Sequence, residues 1–519
     1  MRILQKIATV SAALIVAVSS LPAVYMTGSA ATTDGKIILN SDVSNHTFKA
    51  YQLFKGDVSS DGQTLSNVEA GTAYPTDATT MISDIKSAFN ITDDITTPSQ
   101  LSKAISAITA KDDANKLAKI IKNYVNGTGT DLTYSSSSYT ADNLDTGYYI
   151  IIDETTNTAS GDANSKSILT LVKSGDNTVT PKIGTPTVEK KVKSGSDWKD
   201  AISASIGDTI DFQITGTLPS ADRWAEYDTY QYKFTDTLSE GLDLVMSGSD
   251  PDITILYGDT DVKSYFDVSY DSSSRKLTVS AKNDNLKNKI SYTDGNNITI
   301  SYKAKINSSA VIGGSGNSNK VQLEYSNNPD GTGSGTTGTT TEDTNKVYSY
   351  QLEVTKLDSN GNTALEGAEF KLKNSDGKWA TFNNNKFTGW VTDESSATAL
   401  KTDSNGKINM IGLAEGTYSL KETKAPDGYE LPTSEFAIVV SATYSNTNID
   451  ELKGTISGAS MTSDKTDGKL SGTITNTKGS GLPSTGGIGT KVFYVGGGIL
   501  VIGAGTLLVA KKRMKNYNK

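Results

Sequence analysis

The sequence predicts an all-β protein built of tandem domains, with one helical insertion, and three observations carry that reading. A chain of 519 residues is too long for one ordinary core and corresponds to roughly three or four units of usual domain size. Apolar residues make up only 35% of it, while Gly, Ser, Thr, Asp and Asn are plentiful, a balance that favours short strands joined by turns over helical bundles. Segments such as Thr209 to Ile214, Lys233 to Asp236 and Asn297 to Ala304 alternate apolar and polar side chains, the period of a half-buried strand. Antiparallel runs of this length and spacing predict immunoglobulin-like sandwiches.

At the start, Arg2 and Lys6 precede an apolar run from Ile7 to about Val24, and Gly28-Ser29-Ala30-Ala31 offer a cleavage site. Residues 1–31 therefore read as a secretory signal peptide. An exported chain without a single cysteine must be locked by something other than disulfides. A first domain over 32–185 opens with strands at Lys36 to Leu39 and Thr47 to Phe54. Its helical insertion falls between about Thr79 and Gly127, where Leu117, Ile120, Ile121 and Tyr124 recur at helix spacing and Gly127 stands at the expected cap. Strands resume at Tyr148 to Ile152 and Ile168 to Val172, and Pro186 marks the boundary because proline cannot continue a central strand. A middle domain over 186–326 opens with Thr187 to Val192 and closes with Asn319 to Tyr325. Residues 327–346, rich in Gly and Thr, read as a linker. A third domain covers 347–479, from the strand Tyr348 to Thr355 to the strand Gly472 to Asn476, and 480–519 form a tail.

Several chemistries are excluded or weakened. The net charge of −9 is spread without a basic patch, so nothing supports a nucleic-acid role. Gly333-Ser334-Gly335-Thr336-Thr337-Gly338 fits a dinucleotide fingerprint, but no helical pattern follows it. Asp358, Asn360, Asn362 and Glu369 fall at calcium-loop offsets, yet Thr363 stands where the sharp turn needs glycine, so a β-turn is expected. His46 is the single histidine, which leaves a histidine triad or metal site without support. No cofactor, no metal and no hydrolase activity are expected.

The tail joins Leu482-Pro483-Ser484-Thr485-Gly486 to an apolar run from Val492 to Ala510, about long enough to cross a bilayer. Lys511-Lys512-Arg513 follow, a cluster that prefers the cytoplasmic side. In this order the three features resemble the LPxTG cell-wall sorting signal of Gram-positive surface proteins. The resemblance implies that a membrane sortase attacks the Thr485–Gly486 bond with a cysteine thiolate and passes the Thr485 acyl group to an amine. Peptidoglycan and a wall-anchoring sortase are the partners it implies.

Tyr418-Ser419-Leu420-Lys421-Glu422-Thr423-Lys424-Ala425-Pro426-Asp427-Gly428-Tyr429 is similar to the E-box of the collagen-adhesin B-type (CnaB) domains of Gram-positive pilins and adhesins. There the Glu promotes an internal Lys–Asn isopeptide bond. Tyr418, Leu420 and Glu422 share one strand face, Leu352, Val354 and Lys356 share another, and Ile474 shares its phase with Asn476. The resemblance implies attack of Lys356 on the Asn476 carboxamide, promoted by Glu422. Burial favours the neutral form of both a lysine and a carboxyl group, which frees an attacking amine and leaves an acid able to shuttle protons.

In the middle domain Val188, Lys190 and Val192 share a face, as do Tyr232, Phe234 and Asp236. Thr235 to Leu242 resembles the segment bearing the catalytic Asp in the A-type (CnaA) middle domain of backbone pilins. This implies the set Lys190, Asp236 and Asn319, with Lys191 a competitor for Lys190. In the first domain Lys49 and Glu154 stand as candidates without a motif to fix them. Val179-Thr180-Pro181-Lys182 resembles the pilin motif of sortase-assembled backbone pilins, whose usual form has Tyr where Thr180 stands. It implies that Lys182 attacks the acyl-enzyme carrying Thr485 of the preceding subunit, so that copies join head to tail in an open fibre.

The whole chain thus resembles a Gram-positive major (backbone) pilin subunit. That is a structural protein whose only chemistry is single-turnover self-cross-linking. Its implied partners are a pilus-type sortase, further copies of itself, ancillary pilins and a host receptor that the sequence does not name. The alternative is an LPxTG-anchored monomeric adhesin or ancillary pilin, with the same tail and no donor lysine in use.

Overall fold

Alternating segments become sheet wherever a second layer covers their apolar face. The computed structural model describes residues 33–156, 161–331, 336–479 and 488–515. The expected signal peptide and the pentapeptide Leu482 to Gly486 lie outside the described residues.

In the first domain a four-stranded sheet holds Gly35–Asn40 between Ser138–Leu144 and Gly175–Val179. It packs on a five-stranded sheet centred on Phe48–Val58 and Gly147–Asp153. On one face of that second sheet, Tyr149 and Ile151 meet Ile37 and Leu39. On its other face, Tyr148, Ile150 and Ile152 meet Met81, Ile85, Leu101, Leu117 and Ile121. These last five residues come from the helices Thr79–Phe89, Pro98–Ile105 and Lys111–Lys122. The expected helical insertion is therefore a third layer, which is why Gly147–Asp153 is buried along its whole length instead of alternating. A capping box, with Thr97 and Gln100 satisfying each other's backbone N–H, starts the middle helix.

The middle domain sets two sheets face to face. One orders Asp197–Lys199, Val188–Ser194, Thr209–Gly216, Ile298–Ile306 and Ile253–Tyr257. The other orders Ala201–Ser203, Asp343–Tyr348, Asn317–Ser326, Tyr232–Leu238 and Lys276–Ala281. This corrects the linker expected over 327–346. Thr337–Thr339 and Asp343–Tyr348 both pair antiparallel with Asn317–Ser326, which places Asn345 opposite Asn319. Glycine, asparagine and aspartate argue locally against strand, but the exposed edge of a neighbouring strand supplies the hydrogen bonds that composition cannot announce.

Only Ser349 then separates the middle domain's last strand from Tyr350–Asp358, the first of the third domain. Tyr350–Asp358 lies between Lys407–Leu413 and, in parallel, Lys469–Asn476. The first and last strands are thus neighbours. The buried cores of the two domains are continuous, and the Ile206 N–H bridges them by donating to Gly412 O at 2.9 Å. After this body, Ile488–Lys515 forms a helix of 28 residues. Phe493–Met514 has a mean hydropathy of 2.0 and no burial, so its length and composition suit a bilayer span.

Candidate cross-linking sites

In the third domain, inward alternation brings three polar side chains to one point in the core. Lys356 is 0% exposed, Glu422 4% and Asn476 2%. The Lys356 ammonium lies 2.7 Å from Glu422 Oε2, and Asn476 Nδ2 donates to Glu422 Oε1 at 2.6 Å. One carboxylate therefore holds both the amine and the amide. Burial pushes the Lys356 pKa down, and the hydrogen bond and charge of Glu422 only partly restore it. Lys356 also lies over the rings of Phe370 and Phe436, at 5.5 and 4.9 Å. Asn476 Oδ1 has no hydrogen-bond partner among the described residues, which leaves the amide carbonyl open to polarisation.

The middle domain assembles a comparable cluster across its two sheets. Lys190 Nζ donates to Asp236 Oδ1 at 2.7 Å and to the Tyr302 hydroxyl at 2.6 Å. Tyr302 in turn donates to Asp236 Oδ2, and Asn319 Nδ2 donates to the Tyr302 oxygen at 2.6 Å. Lys190, Asp236 and Asn319 are buried. Desolvation lowers the Lys190 pKa against the pull of Asp236. Lys191 points the other way, 2.7 Å from Asp200 and 3.1 Å from Glu189, partly exposed, so it does not reach this cluster. Tyr302, which bridges Lys190, Asp236 and Asn319, was missed by sequence reasoning. A tyrosine at an inward position of Ile298–Ile306 reads only as core, and its neighbours come from three other strands.

The first domain differs. Lys49 lies 3.6 Å from Glu154 and 3.8 Å from Asp131, Tyr51 donates to Glu154, and neither Lys49 nor Glu154 is hydrogen-bonded to an asparagine among the described residues. Its buried charge cluster surrounds His46 instead. The ring nitrogens lie 2.7 Å from Asp153 Oδ2 and 3.1 Å from Asp162 Oδ1. Burial works against the imidazolium, but the hydrogen bonds and charges of Asp153 and Asp162 outweigh it and raise the pKa to about 9. The loop carrying Asp162 touches the middle domain: Tyr325 donates to Asp162 O at 3.2 Å and the Asn164 N–H to Asn327 O at 2.8 Å.

Lys182 sits where the first domain ends. Its amine lies 3.2 Å from Asp222 Oδ2, on the short helix Ala221–Glu226, and Lys111 Nζ donates to the other oxygen of the same carboxylate at 2.9 Å. Burial lowers the Lys182 pKa, and the neighbouring Lys111 lowers it further. The expected turn at Asp358 is present, with Asp358 Oδ1 accepting from the Asn362 and Thr363 N–H groups.

A family model described as a prealbumin-like fold domain matches residues 350–453. One described as Gram-positive pilin backbone subunit 2, Cna-B-like domain, matches 206–329, where the sequence had resembled the A-type. An LPXTG cell wall anchor motif matches 474–516. The chain is 28% identical over 392 residues to the trypsin-resistant surface T6 protein of Streptococcus pyogenes serotype M6, covering 63% of this chain and 69% of that protein. It is 26% identical over 347 residues to the fimbrial subunit type 2 of Actinomyces naeslundii, covering 60% of this chain and 59% of that protein. The fold is similar to that of the T6 backbone pilin of S. pyogenes serotype M6, with a TM-score of 0.55 at 19% identity over 86% of this chain and 99% of that one.

Proposed function

We propose that this chain, a Gram-positive backbone pilin subunit with an LPXTG wall anchor, is joined into a covalent surface fibre by a sortase that links Thr485 of one copy to Lys182 of the next. The observation that carries the residue assignment is the place of the Lys182 amine, at the end of the first domain and 3.2 Å from Asp222 Oδ2, where burial and Lys111 lower its pKa against the pull of Asp222 and Glu226. Only an unprotonated amine attacks an acyl-enzyme. A pilus-type sortase performs the transfer, a wall-anchoring sortase attaches the base to peptidoglycan, and ancillary pilins and a host receptor are the remaining partners in this reading.

Three domains make up the shaft unit, with the middle one extended to Tyr348. Two of them close their own bonds. In the third domain the Lys356 amine attacks Cγ of Asn476, and the C–N bond forms as its proton passes to Glu422. The proton then moves to Asn476 Nδ2, which leaves as ammonia. In the middle domain Lys190 attacks Cγ of Asn319, with Asp236 taking the proton and Tyr302, hydrogen-bonded to both Asp236 and Asn319 Nδ2, relaying it to the leaving nitrogen.

The test is a wall extract in hot detergent, wild type beside Lys182→Ala. A ladder of polymers in the wild type that collapses to wall-held monomer in the variant supports the assignment. An unchanged ladder removes Lys182 as the nucleophile, and a wild type without a ladder favours the monomeric adhesin.

A further inference from the structure

Asn345 is 0% exposed, and neither atom of its carboxamide has a hydrogen-bond partner among the described residues. A buried amide left unpaired is costly, so natural cores rarely keep one without a reason. Its register partner across Asn317–Ser326 and Asp343–Tyr348 is Asn319, and Asn319 Oδ1 is the other unpaired oxygen of this cluster. Side chains directly opposite in antiparallel strands stand about 5 Å apart at Cβ, within reach of one amide hydrogen bond. Asp343, two residues before Asn345 on the same strand, accepts from the Lys190 N–H at 2.6 Å. This strand therefore runs beside the attacking lysine.

The two clusters differ in what they offer the amide. Glu422 touches both Lys356 and Asn476, so one acid serves the amine and the carboxamide. Asp236 touches Lys190 and Tyr302, and the Asn319 amide nitrogen is held by Tyr302. Neither acceptor oxygen, Asn319 Oδ1 or Asn476 Oδ1, has a hydrogen-bond partner among the described residues, and negative charge develops there when the lysine attacks; opposite Asn319 stands the unpaired amide of Asn345. Preorganised donors aimed at such an oxygen are the largest single source of catalysis in acyl transfer.

We propose that Asn345 supplies that donor: as Lys190 adds to Cγ of Asn319, the Asn345 Nδ2–H group stabilises the oxyanion on Asn319 Oδ1. The inference rests on the Lys190–Asn319 bond proposed above. The step is balanced. The Lys190–Asn319 C–N bond forms, the amine proton moves to Asp236 and through the Tyr302 hydroxyl, which touches both Asp236 and Asn319 Nδ2, the oxyanion collapses, and Asn319 Nδ2 leaves as ammonia with that proton. Asn345 gives and takes nothing.

Freshly translated full-length chain is sampled over time by intact mass and by tandem mass spectrometry of the cross-linked peptides. The third-domain bond serves as the internal clock, and thermal melting checks the fold of each variant. Asn345→Leu fills the site without a donor, Asn345→Val removes the donor with a smaller apolar side chain, and Asn345→Ser returns a small one. The expected result is a Lys190–Asn319 bond that forms roughly 100-fold more slowly in the Leu and Val variants, as when one oxyanion donor is removed elsewhere, with partial recovery in the Ser variant. Wild-type rates in both donor-less variants overturn the proposal, as does a wild-type cross-link from Lys190 to Asn345. A wild type with no cross-link at Lys190 overturns the underlying reading as well, and is told apart because no variant is needed to see it.

Discussion

Lys356 is an amine with no exposed surface, tolerated because Glu422 pairs with it and two aromatic rings face it. Glu422→Ala removes the partner of a buried charge, a change of about 3–5 kcal/mol, and the proton carrier of the proposed bond. The variant should therefore keep the ammonia that the wild type loses, and melt lower; an intact mass equal to that of the wild type after correction for the substitution rules out Glu422 as promoter. His46 makes the opposite use of burial. Its folded pKa of about 9 stands above the ordinary 6.5, so its stabilisation is fully present below pH 6.5 and is lost as pH rises through 9. Asp153 and Asp162 have lowered values, because the hydrogen bonds and charge of His46 outweigh their burial; their share is present above the ordinary carboxylate value and is lost in acid. The difference in melting temperature between wild type and His46→Gln should narrow from pH 7 to pH 10, and a constant difference would remove the ion cluster as its source. Period-two alternation was enough to turn Lys356, Glu422 and Asn476 inward from sequence alone. It could not reveal His46 between two aspartates, because Asp153 and Asp162 are more than a hundred residues away along the chain.

At the level of elements, one of the close approaches at the junction of the middle and third domains sets Gly412 against Ile206. Gly412 has φ +92°, and a Cβ built there would fall 2.3 Å from Ile206 Cδ1. Gly412→Ala must therefore displace Ile206 and hold alanine in a left-handed backbone, which costs about 1–3 kcal/mol by overpacking alone. Calorimetry should show a lower melting temperature, with limited proteolysis opening near Ser349; a variant as stable and as resistant as the wild type would show that Ile206 has room to move. The same junction marks the limit of what was legible in the sequence. The helical insertion was visible because Leu117, Ile120 and Ile121 repeat at helix period over a whole element. Asp343–Tyr348 was hidden because a short polar strand behind a Gly- and Thr-rich stretch carries no periodic signal of its own. Its identity comes from the edge of Asn317–Ser326, and that pairing is what makes the two domains continuous.

Across the whole molecule, the proposed bonds define where tension runs. In a fibre it enters at Lys182, after the last strand of the first domain, and crosses from Lys190 to Asn319. It then follows Asp343–Tyr348 into Tyr350–Asp358, crosses from Lys356 to Asn476, and leaves through Thr485. The chain inside each cross-linked loop is bypassed, and the first domain hangs beside the path. A covalent lock is needed where load passes, whereas the first domain can be held by ions around His46. Pulling one molecule between position 182 and its C-terminal end should therefore give wild-type traces with no domain-unfolding step. Asn476→Ala keeps the Lys356–Glu422 ion pair but has no carboxamide to attack. It should release the residues between Lys356 and position 476 in one step of about 400 Å, at ~3.4 Å per residue. Steps of that size in the wild type would mean that the loops are open and that the shaft resists force by packing and hydrogen bonds alone, while a step-free Asn476→Ala trace would move the third-domain acceptor to another residue.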